Sequence, residues 1–121
     1  MLLGLRTCIY PVTDIQAGKQ WYSTILGAPP YFDEAFYVGF SVGGFELGLI
    51  PDGKPGADGS QALWGVDDIA ATLENLLSRG AQALEAVTDV GGGIQVAAVL
   101  DPFGNRIGLI HNPHFDPKNV R

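Results

Sequence analysis

One cysteine, Cys8, stands in 121 residues. That count excludes an intramolecular disulfide, so the fold must rest on its core, and a reducing, cytoplasmic setting is expected. Basic residues are also few: Lys and Arg total 7 against 13 Asp and Glu, a formal charge of −6. They are scattered along the chain, whereas nucleic-acid binding needs clustered cations, so no nucleic-acid partner is expected. No apolar run reaches the roughly 18 residues that a membrane-spanning helix needs, and no membrane partner is expected either. Residues 1–10 lack the basic start and small-residue cleavage site of a signal peptide, and Arg6 interrupts their apolar run. Missing as well are a Gly-x-Ser-x-Gly nucleophile turn, a phosphate loop and a dinucleotide fingerprint.

What the chain does have is a pattern used twice. Val12-Thr13-Asp14-Ile15 and Val66-Asp67-Asp68-Ile69 each open an amphipathic stretch. Glu46-Leu47-Gly48-Leu49-Ile50 closes the first half, and Arg106-Ile107-Gly108-Leu109-Ile110 nearly closes the second. A repeat of this size implies two copies of one supersecondary module. In the first half, 2–12 reads as a strand. A helix capped by Thr13 or Asp14 then runs to Leu26 and stops at Gly27. Phe36 to Val42 and Phe45 to Ile50 read as antiparallel strands joined at Gly43-Gly44. Pro51 to Ser60 is loop by composition and serves as the linker.

In the second half, Gln61 to Val66 reads as a strand, followed by a helix with Ile69, Leu73, Leu76 and Leu77 on one stripe and a stop at Gly80. Strands at Ala83 to Val90, Ile94 to Leu100 and Arg106 to His111 follow, the last two separated by the turn Asp101-Pro102-Phe103-Gly104-Asn105. By the repeat, each half is read as a βαβββ module: module 1 over about 3–50, a linker at 51–60, module 2 over about 61–111 and a tail at 112–121. The expected fold is α+β, a single domain with eight strands in one concave sheet and two helices on its outer face.

The Val-Asp-Asp-Ile helix start, the Asp-Pro-Phe-Gly-Asn-Arg-Ile segment and the order of elements resemble the vicinal oxygen chelate superfamily, which holds glyoxalases, bleomycin resistance proteins and extradiol dioxygenases. The resemblance covers about residues 3 to 112. It implies a homodimer with a small-molecule cup at the dimer interface. It also implies a divalent metal held from the first and fourth strands of each module. Aligned on that pattern, the four ligand positions fall on Thr7, Glu46, Gln61 and Gly108. The internal repeat instead pairs Glu46 with Arg106, so two registers remain open. Under either, only Glu46 and Gln61 are ligand-type residues, and a firm transition-metal site needs three or four. The site is therefore read as metal-free and without a cofactor.

Alternation along the strands puts Leu5, Thr7 and Ile9, then Glu46, Gly48 and Ile50, then Gln61, Leu63 and Gly65, then Arg106, Gly108 and Ile110 on the open face. That is a mostly apolar lining with a few polar groups, as ligand pockets have. Thr7, Glu46, Gln61, Arg106 and Gly108 are the candidate ligand-binding residues, and Glu46 is the candidate general base. Glu46 could also pair with Arg106, and Arg106 could grip a ligand carboxylate or phosphate. By the same alternation His111 and Cys8 point away from the open face; His111 and His114 read as structural or surface residues and Cys8 as a small core residue. The expected function is metal-independent small-molecule binding, as in the bleomycin resistance branch. The alternative is a lactoylglutathione lyase-like or dioxygenase enzyme with an atypical metal site.

Overall fold

The computed structural model describes residues 6–57 and 62–120. Leu5 and Gln61, both expected on the open face, lie outside the described residues, as does the expected start of the first strand. The chain divides into two compact units, Met1–Pro55 and Gly56–Arg121, each with its own sheet.

The first unit runs β1 (Thr7–Pro11), α1 (Ile15–Leu26), β2 (Phe32–Glu34), β3 (Tyr37–Val42) and β4 (Phe45–Ile50). The second runs β5 (Leu63–Gly65), α2 (Ile69–Ser78), β6 (Gln82–Asp89), β7 (Gln95–Leu100) and β8 (Arg106–His111), with a 3-10 turn at Pro117–Asn119 in the tail. Both are βαβββ modules, and the fold class is α+β. The eight strands form two sheets of four, ordered β1-β4-β3-β2 and β5-β8-β7-β6, where the sequence suggested one sheet of eight. The physical reason is that each ladder closes within its own unit. The first strand pairs in parallel with the last, and the remaining strands pair antiparallel. Among the described residues no ladder joins the edge strands of the two units.

β2 is the strand that the sequence pattern did not locate. Its three residues are all exposed and too few to show an alternation. Tertiary pairing makes it a strand: Phe32 lies opposite Gly39, and the Tyr31 N–H donates to the Gly39 carbonyl at 2.9 Å.

The repeated tetrapeptides build the same joint twice. The Val12 N–H donates to the Ile50 carbonyl at 2.8 Å, and the Val66 N–H to the Ile110 carbonyl at 2.9 Å. Just beyond, Asp14 Oδ1 accepts from the Gln16 and Ala17 N–H groups at 3.0 and 3.1 Å, and Asp68 Oδ1 accepts from Ala71 N–H at 3.0 Å. Each aspartate satisfies amides that the first helical turn leaves without a partner. Gly43 and Gly44, with φ of 57° and 90°, form the two-residue turn between the paired Val42 and Phe45. Two consecutive left-handed residues match the twist of a hairpin and are strained for anything but glycine.

One face of each sheet is covered by its helix. α1 lies on β3 and β4, burying Tyr22 among Tyr10, Val38, Phe40, Leu47 and Leu49. α2 lies on β6, β7 and β8, with Ile69 and Leu76 against a core that includes Val99, Ile107 and Leu109. Each such side chain contributes roughly 1.5–3 kcal/mol of burial. The Asp-Pro-Phe-Gly-Asn turn before β8 is a buried polar knot. Asp101 is 2% exposed; its Oδ1 accepts from the Phe103 and Asn105 N–H groups at 2.9 and 2.8 Å, and its Oδ2 from Asn105 Nδ2 at 3.1 Å. Asn105 Oδ1 in turn accepts from the Gly56 N–H at 3.1 Å. The motif is thus a device for turning the chain into β8. Among the described residues no helix is long and apolar enough to cross a membrane.

Candidate functional site

The sheet face away from α1 carries Thr7 and Glu46. Register puts Thr7 opposite Glu46, Ile9 opposite Gly48 and Gly39 opposite Gly48. Period-two alternation then places Tyr37 and Phe32 on that same face, while Val38, Phe40, Leu47 and Leu49 turn to the helix and are buried. Cys8 lies on the helix side and is half-buried. Burial pushes its thiol up, against a smaller opposing effect of a hydrogen bond with Tyr10. It therefore stays a protonated, unreactive thiol at neutral pH.

Glu46 lies on β4, an interior strand between β1 and β3. Both of its carboxylate oxygens are engaged. The Tyr37 hydroxyl donates to Oε1 at 2.5 Å, and the Tyr31 hydroxyl donates to Oε2. Two glycines make room for this clamp. A Cβ at Gly48 would sit 2.6 Å from Tyr37 Cζ, which no side chain tolerates, so the tyrosine ring lies directly on the bare backbone there. A Cβ at Gly39 would meet Glu46 Oε2 at 3.2 Å, Tyr37 Cε1 at 3.3 Å and Tyr31 Cε1 at 3.4 Å. The two rings and the carboxylate therefore converge over Gly39, and the Tyr37 ring also over Gly48. Burial pushes the Tyr37 phenol up, so it remains a proton donor to Glu46 across the neutral range. Beyond Tyr37, Phe32 meets Tyr37 and Phe36 edge-to-face, at centroid distances of 6.0 and 6.1 Å.

Because Ile50 and Ile110 accept the same hydrogen bond from Val12 and Val66, counting back four residues makes Arg106 the counterpart of Glu46 and Gly108 the counterpart of Gly48. Gly108 lies between Leu63 and Ala98 in the sheet. Arg106 Nη2 pairs with Glu85 Oε1 at 2.5 Å across β7, and its buried Nε has no hydrogen-bond partner. An ion pair with Glu85 half exposed is worth at most about 1 kcal/mol. Glu46 and Arg106 each have partners in their own unit. His111 Nδ1 lies 3.1 Å from the Val66 carbonyl and His114 Nε2 2.8 Å from the Gly92 carbonyl, so both histidines tie down backbone.

Of the two ligand-type residues, Glu46 accepts from two hydroxyl donors and Gln61 lies outside the described residues; Thr7 is a weak ligand, and Arg106 is a cation paired with Glu85. Among the described residues no group of three His, Cys, Asp or Glu could hold an ion. Tyr31 was not visible as a site residue in the sequence reading. Its signal is the arrangement Tyr31-Phe32 and Phe36-Tyr37 on either side of Asp33-Glu34-Ala35, two aromatic pairs that a hairpin brings together.

The family model described as Glyoxalase/Bleomycin resistance protein/Dioxygenase superfamily matches residues 4–109. No curated protein sequence matches the chain. Among solved structures, a glyoxalase-related enzyme from Fulvimarina pelagi superposes with a TM-score of 0.75 at 18% identity, covering 93% of this chain and 90% of that one. A glyoxalase/bleomycin resistance protein from Catenulispora acidiphila gives 0.66 at 25% identity, covering 91% and 100%. The bleomycin resistance determinant encoded on transposon Tn5 gives 0.70 at 25% identity, covering 91% and 98%.

Proposed function

Because the chain belongs to the Glyoxalase/Bleomycin resistance protein/Dioxygenase superfamily, we propose that it binds a small organic molecule, without a metal, on the open face around Glu46, as a cytoplasmic homodimer. The observation that carries this reading is the state of Glu46. Its two oxygens are held by Tyr31 and Tyr37, which orients the carboxylate as a fixed acceptor and leaves it poorly placed as a metal ligand. Thr7 beside it and the exposed Ile9 extend the surface a ligand would meet. Exposed Ile9, Phe32 and Phe36 leave apolar surface that a second copy would help to cover.

The test is elemental analysis of the purified protein, followed by thermal shift with nickel, zinc, manganese and iron salts. The expected result is substoichiometric metal and no shift with any of the four. Near-stoichiometric metal, with activity lost to chelator and restored by one divalent ion, would return the lyase or dioxygenase reading.

A further inference from the structure

Resting on the reading of this face as a small-molecule site, we infer that its ligand is an organic cation, a quaternary ammonium or a protonated amine. Tyr31 of the clamp is 64% exposed, and Phe32 and Phe36, which continue from Tyr37, are 40% and 65% exposed. Tyr37 bridges them to the carboxylate. The rings do not stack flat. Phe32 stands at 67° to Tyr37 and 70° to Phe36, so their π faces turn different ways and form walls. A cation resting against such walls is attracted by the ring quadrupoles.

The carboxylate decides the sign of the ligand. Glu46 accepts from two neutral hydroxyls, and among the described residues of the first unit it forms no ion pair: Lys19 pairs with Asp33. An anion over this face would be repelled. A neutral apolar ligand would strip water from a carboxylate and give nothing in return, which is costly. A cation replaces that water with a counter-charge and takes the aromatic attraction as well. The chain's net charge of −6 draws cations toward it from solution.

The experiment is a titration of the amide spectrum of the full chain with choline, with its uncharged carbon isostere 3,3-dimethylbutan-1-ol, and with benzoate. Choline is expected to shift the Gly39 and Gly48 amides saturably, and the isostere to bind about fivefold more weakly or worse. Glu46→Gln should cost choline about fivefold, and Phe36→Leu, at an exposed position that folding does not need, should weaken it in the same direction. If the isostere or benzoate shifts these amides as well as choline does, the cation assignment falls while the binding face stands. Should none of the three move them, both readings fail. Shifts at Gly39 and Gly48 on dilution alone, with none from choline, would give the face to a second copy of the chain and also overturn the proposal.

Discussion

Glu46 shows how much one position depends on the residues around it. A glutamate in mid-strand would ordinarily be a solvated side chain. Here two bare glycines leave room for two tyrosines to reach its oxygens. The clamp should therefore fail from either side. Gly48→Ala puts a methyl group into the Tyr37 ring, and the ring must leave the sheet. The expected cost is about 1–3 kcal/mol, the range for overpacking, read as a lower urea midpoint. Tyr37→Phe keeps the ring and removes one donor, at about 1 kcal/mol. If Gly48→Ala were no more destabilising than Tyr37→Phe, the close approach of ring to backbone would not be what places the clamp.

At the scale of elements, the repeat is a repeated joint: a parallel strand pair released at a valine, then a helix entered under an aspartate. Asp14→Ala and Asp68→Ala should each cost about 1 kcal/mol, the usual value of a helix cap. Asp101→Ala should cost more, about 2–3 kcal/mol, because it leaves buried amides of the turn without an acceptor. Urea denaturation of the three variants tests the ranking. Equal losses would mean that the turn's buried aspartate is worth no more than an exposed cap. Strand β2 makes the opposite point, since its three exposed residues have no intrinsic pattern and exist as a strand only through the pairing with β3.

For the molecule as a whole, exposed apolar residues are the feature left without a partner in one chain. Ile9, Phe32 and Phe36 in the first unit and Leu63, Leu84 and Val87 in the second all lie at the surface. Surface of this kind marks association. Sedimentation velocity across a hundredfold concentration range should show a dimer that dissociates, if at all, only at the dilute end. A monomer throughout would remove the homodimer from the proposed function. Phe36→Asp, which places a charge on that surface, should leave the fold intact and shift any dimer toward monomer only if the first unit's face takes part.

The amino-acid order alone placed both helices and every strand but β2, the capping aspartates, the hairpin at Gly43-Gly44 and the turn at 101–105, because each is written in residues close together in the chain. It also carried Glu46 as the residue to watch, since strand alternation is a local rule. Tertiary structure decided the partners. Tyr31 lies 15 residues from Glu46 and Glu85 lies 21 from Arg106, so neither contact has a local signature. The division into two sheets and the counterpart of Glu46 were likewise set by hydrogen bonds between distant strands. Such bonds depend on which strands the folded chain brings side by side, and no short-range periodicity encodes that.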